Sequence, residues 1–171
     1  MSDTGPDLHR ADRLQFDVWP GGLLSWFDGR SLADKTGFTA SLVTHHDDGR
    51  LGTSLLGIGE LYASGPRSLR FVLWAQARAA SALATGARAA LTFVFDGAFY
   101  QVQLGVTPIR SAEAQANGFA CFEATIVSVE LQRVPYARLD AGIVFTLDER
   151  EREATLRRWS AQIVWLKAAG E

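Results

Sequence analysis

Cysteine, lysine, methionine and histidine are all scarce in this chain. Its 171 residues include one cysteine, Cys121, one methionine, Met1, two lysines, Lys35 and Lys167, and three histidines, His9, His45 and His46. A lone cysteine excludes an intramolecular disulfide and a cysteine-built metal site, and it suits a reducing compartment. Basic residues number 17 against 19 acidic ones, for a net charge of -2, and the arginines are scattered. Neutralising a nucleic-acid backbone takes a clustered basic excess, so no nucleic-acid partner is expected. Nor is there an apolar run of about 18 residues, the minimum for a membrane helix. The polar stretch Met1 to Arg13 lacks the apolar centre of a secretory signal. A cytoplasmic protein without membrane contact is the expectation.

What is present suits a packed globular domain. Apolar residues make up 47% and charged residues 21% of the chain, far from the profile of disorder. The length fits one folded domain, placed at residues 31–171 and preceded by an arm over residues 1–30. Met1 to Asp17 is polar, with Gly5 and Pro6, and reads as mobile. Phe16, Trp19, Trp26 and Phe27 then crowd around Pro20-Gly21-Gly22. Four large rings left in water would form an unusual apolar patch, so this segment should dock on its own domain or on a second subunit.

Turn chemistry organises the rest. Ser31 is a candidate N-cap for a short helix over Ser31 to Lys35. Thr39 to His45 and Arg50 to Tyr62 read as strands around Asp47-Asp48-Gly49, because the glycine supplies the positive φ of a tight hairpin. Ser64-Gly65-Pro66 introduces a third strand, Ser68 to Trp74, paired to the second, with Leu69, Phe71 and Leu73 on one face. Ala75 to Thr85 is alanine-rich and favours helix, with Gly86 as its stop. Ala89 to Phe95 and Phe99 to Val106 flank the hairpin turn Asp96-Gly97.

Farther on, a short helix is expected within Ile109 to Asn117, and then a strand from Phe119 to Leu131. Phe122, Ile126, Val127 and Val129 make that strand apolar on both faces, which suggests a place between the barrel interior and a partner surface. Ile143 to Phe145 reads as a short strand. Thr146-Leu147-Asp148-Glu149 matches a capping box for a last helix, whose Leu156, Trp159, Ile163 and Leu166 recur at helical spacing. Glu149, Arg150, Glu153 and Arg157 form its wet face. Six or seven antiparallel strands, a crossover helix and a terminal helix describe a mainly β, α+β fold built as a barrel with peripheral helices.

The ordered run from Leu42 to Leu104 resembles the FMN-binding split barrel of the pyridoxamine 5′-phosphate oxidase-like family. The likeness rests on Leu42-Val43-Thr44 with Asp48-Gly49, Thr53-Ser54-Leu55-Leu56, Leu69 to Trp74, Ala77-Arg78-Ala79 at a helix start, Gly86-Ala87-Arg88, and Tyr100-Gln101-Val102. It covers a little over a third of the chain, with Val134 to Ala137 matching more loosely. The resemblance implies an antiparallel split barrel, an FMN cofactor, a homodimer with the cofactor between subunits, and oxidoreductase activity on a small molecule. It further implies that Arg78 holds the flavin phosphate, that Gln101 meets the ring edge, that Thr53 and Ser54 line the ring, and that Trp74 lies near it.

Two neighbours of Arg78 depart from the family pattern, in which a hydroxyl and an ammonium flank the arginine; here both are methyl groups, on Ala77 and Ala79. Ser81, one turn on, is a candidate replacement hydroxyl beside the amides of the helix start. The departure leaves a second reading open, a flavin-free split barrel that serves as a binding or assembly module. A different ligand in the same fold, such as haem or a deazaflavin, is a third.

Other motifs have plainer readings. His45-His46-Asp47-Asp48 alternates faces and sits at a turn, which disfavours convergent metal ligation. Gly57-Ile58-Gly59 lacks the third glycine of a dinucleotide loop and reads as close packing or a bend. Cys121 reads as a buried inert thiol.

Overall fold

The computed structural model describes residues 12–170. Residues 1–11, the first part of the expected arm, lie outside the described residues. Eight strands form one antiparallel sheet: β1 (Asp12–Phe16), β2 (Thr39–His45), β3 (Leu51–Gly57), β4 (Leu61–Gly65), β5 (Ser68–Trp74), β6 (Ala87–Phe95), β7 (Ala98–Ile109) and β8 (Phe119–Arg133). Their order is β3-β2-β6-β7-β8-β5-β4, with β1 added to β8. The two strands at the ends of that order, β3 and β4, are consecutive in the chain. The sheet therefore curls into a split barrel whose seam is crossed by the covalent backbone at a 3-10 turn, Ile58–Glu60.

Both tight hairpins form where glycine permits them. Gly49 has φ +82°, and Asp96 and Gly97 have φ +48° and +73°, the paired positive values of a two-residue turn that follows the strand twist. Inside the barrel, Leu42, Leu69, Phe71, Leu91, Val102, Leu104 and Phe122 are almost wholly buried. Phe71 and Phe122 are directly opposite each other on β5 and β8 and stack with centroids 5.3 Å apart.

The aromatic segment after β1 docks on its own barrel. Trp19, Leu23 and Phe27 are buried. The Trp19 amide donates to Pro66 O at 2.8 Å, and its indole N–H to Ser68 O at 3.0 Å, which pins the segment across the β4–β5 turn. Helix α1 (Leu23–Trp26) is a single turn within it. Asp12–Phe16 pairs along β8, so this part of the expected mobile arm is a sheet edge. Its polar side chains are outside while its backbone completes the ladder.

Four further expectations are corrected. Ser31 sits in the left-handed region, φ 52°, and caps nothing; the following turn is 3-10, Leu32–Lys35. The segment read as one strand, Arg50 to Tyr62, breaks at the 3-10 turn, so β4 rather than the first half pairs with β5. Ile143 to Phe145 is not a strand: its one ladder contact is the bridge Phe38↔Val144. The terminal helix α4 spans Arg152–Ala168 and its N-cap Glu151 makes no side-chain bond. Asp148 accepts instead from the Arg150 amide at 2.9 Å, closing a turn before the helix.

The double apolar character of β8 has two local causes. The register shifts between Gln103 and Leu104 of β7, so that Gln103 pairs with Ser128 and Leu104 with Ile126. Val127 is the extra residue of a β-bulge and stands 46% exposed; beyond it Val129 and Leu131 return to the interior. At the other end of β8, Phe119 and Cys121 turn outward and are buried all the same. Helices α3 (Ala112–Ala116) and α4 lie over that part of the sheet, with Trp165 against Phe119 at 5.7 Å.

Helix α4 also covers the seam. Trp159, Ile163 and Leu166 are buried, and the indole of Trp159 rests on Gly57 and Gly59, where an added Cβ would collide with it. Arg70 fastens the far end, donating to Leu166 O at 2.9 Å and pairing with its cross-strand neighbour Glu123 at 3.1 Å.

Candidate functional site

Helix α2 closes one end of the barrel. It spans Arg78–Leu83, shorter than the expected Ala75 to Thr85, because Ala77 is still extended and Ala84 already ends it. Ala79, Ala80 and Leu83 face the barrel and are buried, while Arg78 and Ser81 are exposed. Those two stand three residues apart, on the same face of the helix. Arg78 makes no ion pair among the described residues, whereas Arg70 is fully engaged. A helix of six residues has little macrodipole, so any anion here would depend on the side chains.

Trp74 ends β5 beside this helix, and its carbonyl accepts from the Ala77 amide at 2.9 Å. Its ring is 56% exposed and lies on Phe119 with centroids 4.1 Å apart. Trp74 thus leads directly into α2, while its ring lies on the outer face against Phe119.

The other expected site residues separate by strand parity. Thr53 pairs with Val43, and Val43 with Ala90, which pairs with Gln103. The next row of the same outer face runs Leu55, Ser41, Thr92 and Gln101. Thr53 and Gln101 therefore share the bare outside of the sheet, three strands and one row apart. At strand spacings of about 4.8 Å and a rise of about 3.3 Å per residue, that is roughly 16 Å. An extended ligand can span it; a single ring edge cannot. Ser54 points the other way, paired with the fully buried Leu42, and does not join Thr53.

Ala79 changes meaning in the structure. Its methyl is 3% exposed and packs into the barrel end, so that position faces the core. Ala77 is the helix N-cap and has no side-chain bond to offer. The donor set present for a flavin phosphate is the guanidinium of Arg78 and the hydroxyl of Ser81, which suits a phosphate with fewer partners than the family pattern supplies. Cys121 takes no part: burial pushes its thiol up to about 11, against the lesser opposing effects of a Ser111 hydrogen bond and Arg70.

A second concavity has no counterpart in the sequence reading. The segment after β8 crosses the edge of β3 before α4 begins. Between them lies a cavity of about 330 Å³, bordered by Leu55, Ile143, Phe145 and Trp159 and by two charged residues, Glu60 and Arg158. Burial raises the Glu60 carboxyl above its usual range, opposed by its bond from the Gly57 amide and by Arg158. The signal available in the sequence was one carboxylate within an otherwise apolar run, Leu55 to Leu61.

No family model matches the chain. It is 28% identical over 148 residues to YclD, an uncharacterised protein of Bacillus subtilis strain 168, covering 85% of this chain and 93% of that one. Among solved structures it is similar to a proposed pyridoxamine 5′-phosphate oxidase of Lactobacillus delbrueckii, with a TM-score of 0.51, 14% identity, and coverage of 68% of this chain and 97% of the other. An F420 reductase aligns with a TM-score of 0.49 and 12% identity over 65% of this chain and 98% of its own. Sheet order, seam, end-closing helix and the alignment with the Lactobacillus delbrueckii protein agree, and the chain has the antiparallel split-barrel fold of the pyridoxamine 5′-phosphate oxidase-like proteins.

Proposed function

We propose that the chain binds flavin mononucleotide and works as a flavin-dependent oxidoreductase on a small molecule. The observation that carries this reading is the pair Arg78 and Ser81, exposed on one helix face with the guanidinium free of any ion pair among the described residues. Arg78 would hold the phosphate and Ser81 would donate a hydrogen bond to it. Thr53 and Gln101 would meet different parts of the molecule along the bare sheet face. When bound, the flavin supplies hydride or electron transfer, and the protein's part is to hold and shield it. The solved relative named for pyridoxamine 5′-phosphate oxidation supports the direction of this reading.

A second copy of the chain would cover the bare face, where Leu51 and Leu55 flank Thr53 at 71% and 57% exposure. Sedimentation of the purified protein tests this, with a dimer expected and a monomer at micromolar concentration counting against it.

The test of cofactor binding is an FMN titration followed by absorbance and flavin fluorescence. Saturable binding is expected, and Arg78→Ala should weaken it about tenfold to a hundredfold, since a hydrogen bond to a charged group contributes about 1.5–3 kcal/mol. Colourless protein with no saturable response to FMN would overturn the reading. It would favour the flavin-free assembly module, for which the methyl side chain at the Ala77 N-cap is the specific observation.

A further inference from the structure

We propose that the cavity between the Ile143–Phe145 segment, the edge of β3 and helix α4 is a binding site for a small molecule with an apolar body and one ammonium group. This site lies at the β3 edge of the sheet face assigned to flavin and shares Leu55 with it, but Glu60 and its other walls belong to neither that face nor helix α2, and the proposal does not rest on that assignment.

The shape and lining are those of a small-molecule site. Its volume of about 330 Å³ falls within the range of ligand pockets, about 300–1,000 Å³. Four independent elements contribute the walls: β3 through Leu55, the crossing segment through Ile143 and Phe145, the seam turn through Glu60, and α4 through Arg158 and Trp159. Leu55 and Ile143 are 57% and 52% exposed and make an apolar mouth, while the Trp159 ring forms a buried wall.

Glu60 sets the polarity of the ligand. One carboxylate oxygen, Oε2, accepts from the Gly57 amide at 2.6 Å, which holds the group in place. The other has no hydrogen-bond or ion-pair partner among the described residues. A carboxylate fixed in an apolar cavity with one free oxygen is costly to ionise and favours a positively charged hydrogen-bond donor beside it.

Arg158 does not supply that partner, because it is exposed and forms no ion pair with Glu60 within 4.0 Å. It borders the cavity at its exposed rim, and its charge reaches Glu60 without direct contact. A carboxylate seated against the free oxygen of Glu60 would be repelled there, with the exposed, solvent-screened Arg158 at the rim offsetting it only weakly. The apolar walls then take the body of the ligand, and the free oxygen of Glu60 takes its ammonium.

The test uses the full-length protein and three probes of nearly equal size: 2-phenylethylamine, 2-phenylethanol and phenylacetate. Binding is followed at pH 7.5 through the Gly57 amide and the Trp159 indole N–H resonances. A ligand of about nine non-hydrogen atoms reaches millimolar dissociation constants, so titrations extend to tens of millimolar. The amine should shift both resonances saturably and bind best, the alcohol more weakly and phenylacetate least. Glu60→Gln keeps an acceptor for the Gly57 amide; it should weaken the amine about tenfold and leave the alcohol unchanged. Ile143→Trp, a change at an exposed position of the mouth, should block both.

An amine that binds no better than phenylacetate, or equally well to the Glu60→Gln protein, would overturn the proposal, as would the absence of a saturable shift with all three probes. FMN titration of the same samples keeps the two readings apart: Glu60→Gln, which should weaken the amine, should leave FMN binding unchanged.

Discussion

The indole of Trp159 lies against the α-carbon of Gly59, so close that a methyl group there would overlap Cβ and Cγ of the tryptophan. This contact seats the terminal helix on the barrel seam. Gly59→Ala forces the helix outward, and overpacking of this kind costs about 1–3 kcal/mol. Trp159→Ala should cost about 3–5 kcal/mol through the cavity it leaves. Because the two changes act on one contact, the double variant should lose less than the sum. Urea unfolding of the four proteins measures this; strict additivity would contradict the contact.

Arg70 joins three elements through one guanidinium. It reaches Glu123 on the neighbouring strand and the carbonyls of Leu166 and Lys167 at the end of α4. Its side chain is only 19% exposed, so solvent screens it less than a surface pair. Arg70→Met should destabilise by about 1.5–3 kcal/mol. Hydrogen exchange should speed up first in the last turns of α4, and uniform acceleration across the sheet would argue against a local tie.

Gln162 is fully buried on the inner face of α4, and among the described residues neither its amide nitrogen nor its oxygen has a hydrogen-bond partner. Leaving a buried polar group unsatisfied costs about 1–3 kcal/mol. Gln162→Met keeps much of the shape and removes the penalty, so the variant should unfold at higher temperature and higher denaturant concentration than the parent. A loss of stability would show that the amide is satisfied within the helix packing.

Glu60 makes stability depend on pH in an unusual direction for a carboxylate. Burial raises its pKa in the folded state above the ordinary value of 4.5, more than the Gly57 bond and Arg158 lower it. The folded protein then holds a proton that the unfolded chain releases, and stability from this group falls as pH rises from about the unfolded value through the raised folded one. Glu60→Gln lacks the titration and keeps an acceptor for Gly57. Denaturant curves of both proteins across that window should show the parent losing ground to the variant as pH rises, then a constant difference above it. A difference that does not vary with pH would count against the raised pKa.

Much of the strand plan was legible because tight turns announce themselves. Thr39–His45 and Ser68–Trp74 coincide with the expected strands, as local alternation and Gly-containing turns dictate both. What escaped is what depends on distant partners. Asp12–Phe16 carries no strand pattern of its own and is ordered by the β8 ladder. The β8 bulge cannot be seen without β7, so Val127 and Val129 looked like two apolar faces. The capping residues at Thr146 to Glu149 fit the local rule but sit one turn too early, where Asp148 makes a turn of its own.

For the candidate sites the division is similar. Arg78 and Ser81 share a helix face because they are three residues apart in the chain. Thr53 and Ser54 part because adjacent strand residues face opposite sides, a consequence of period-two geometry that a family motif alone does not reveal. The Glu60 cavity gathers residues from β3 to α4 and exists only once the chain has folded back on itself.

The seam between β3 and β4 has a mechanical consequence. Every other junction in the wall is a hydrogen-bonded ladder that would have to be unzipped to part its strands. At the seam the two strands share only a backbone turn, with α4 laid across it as a clasp. The barrel can therefore spread there at the expense of helix contacts alone, as a binding opens along its spine while its pages remain sewn.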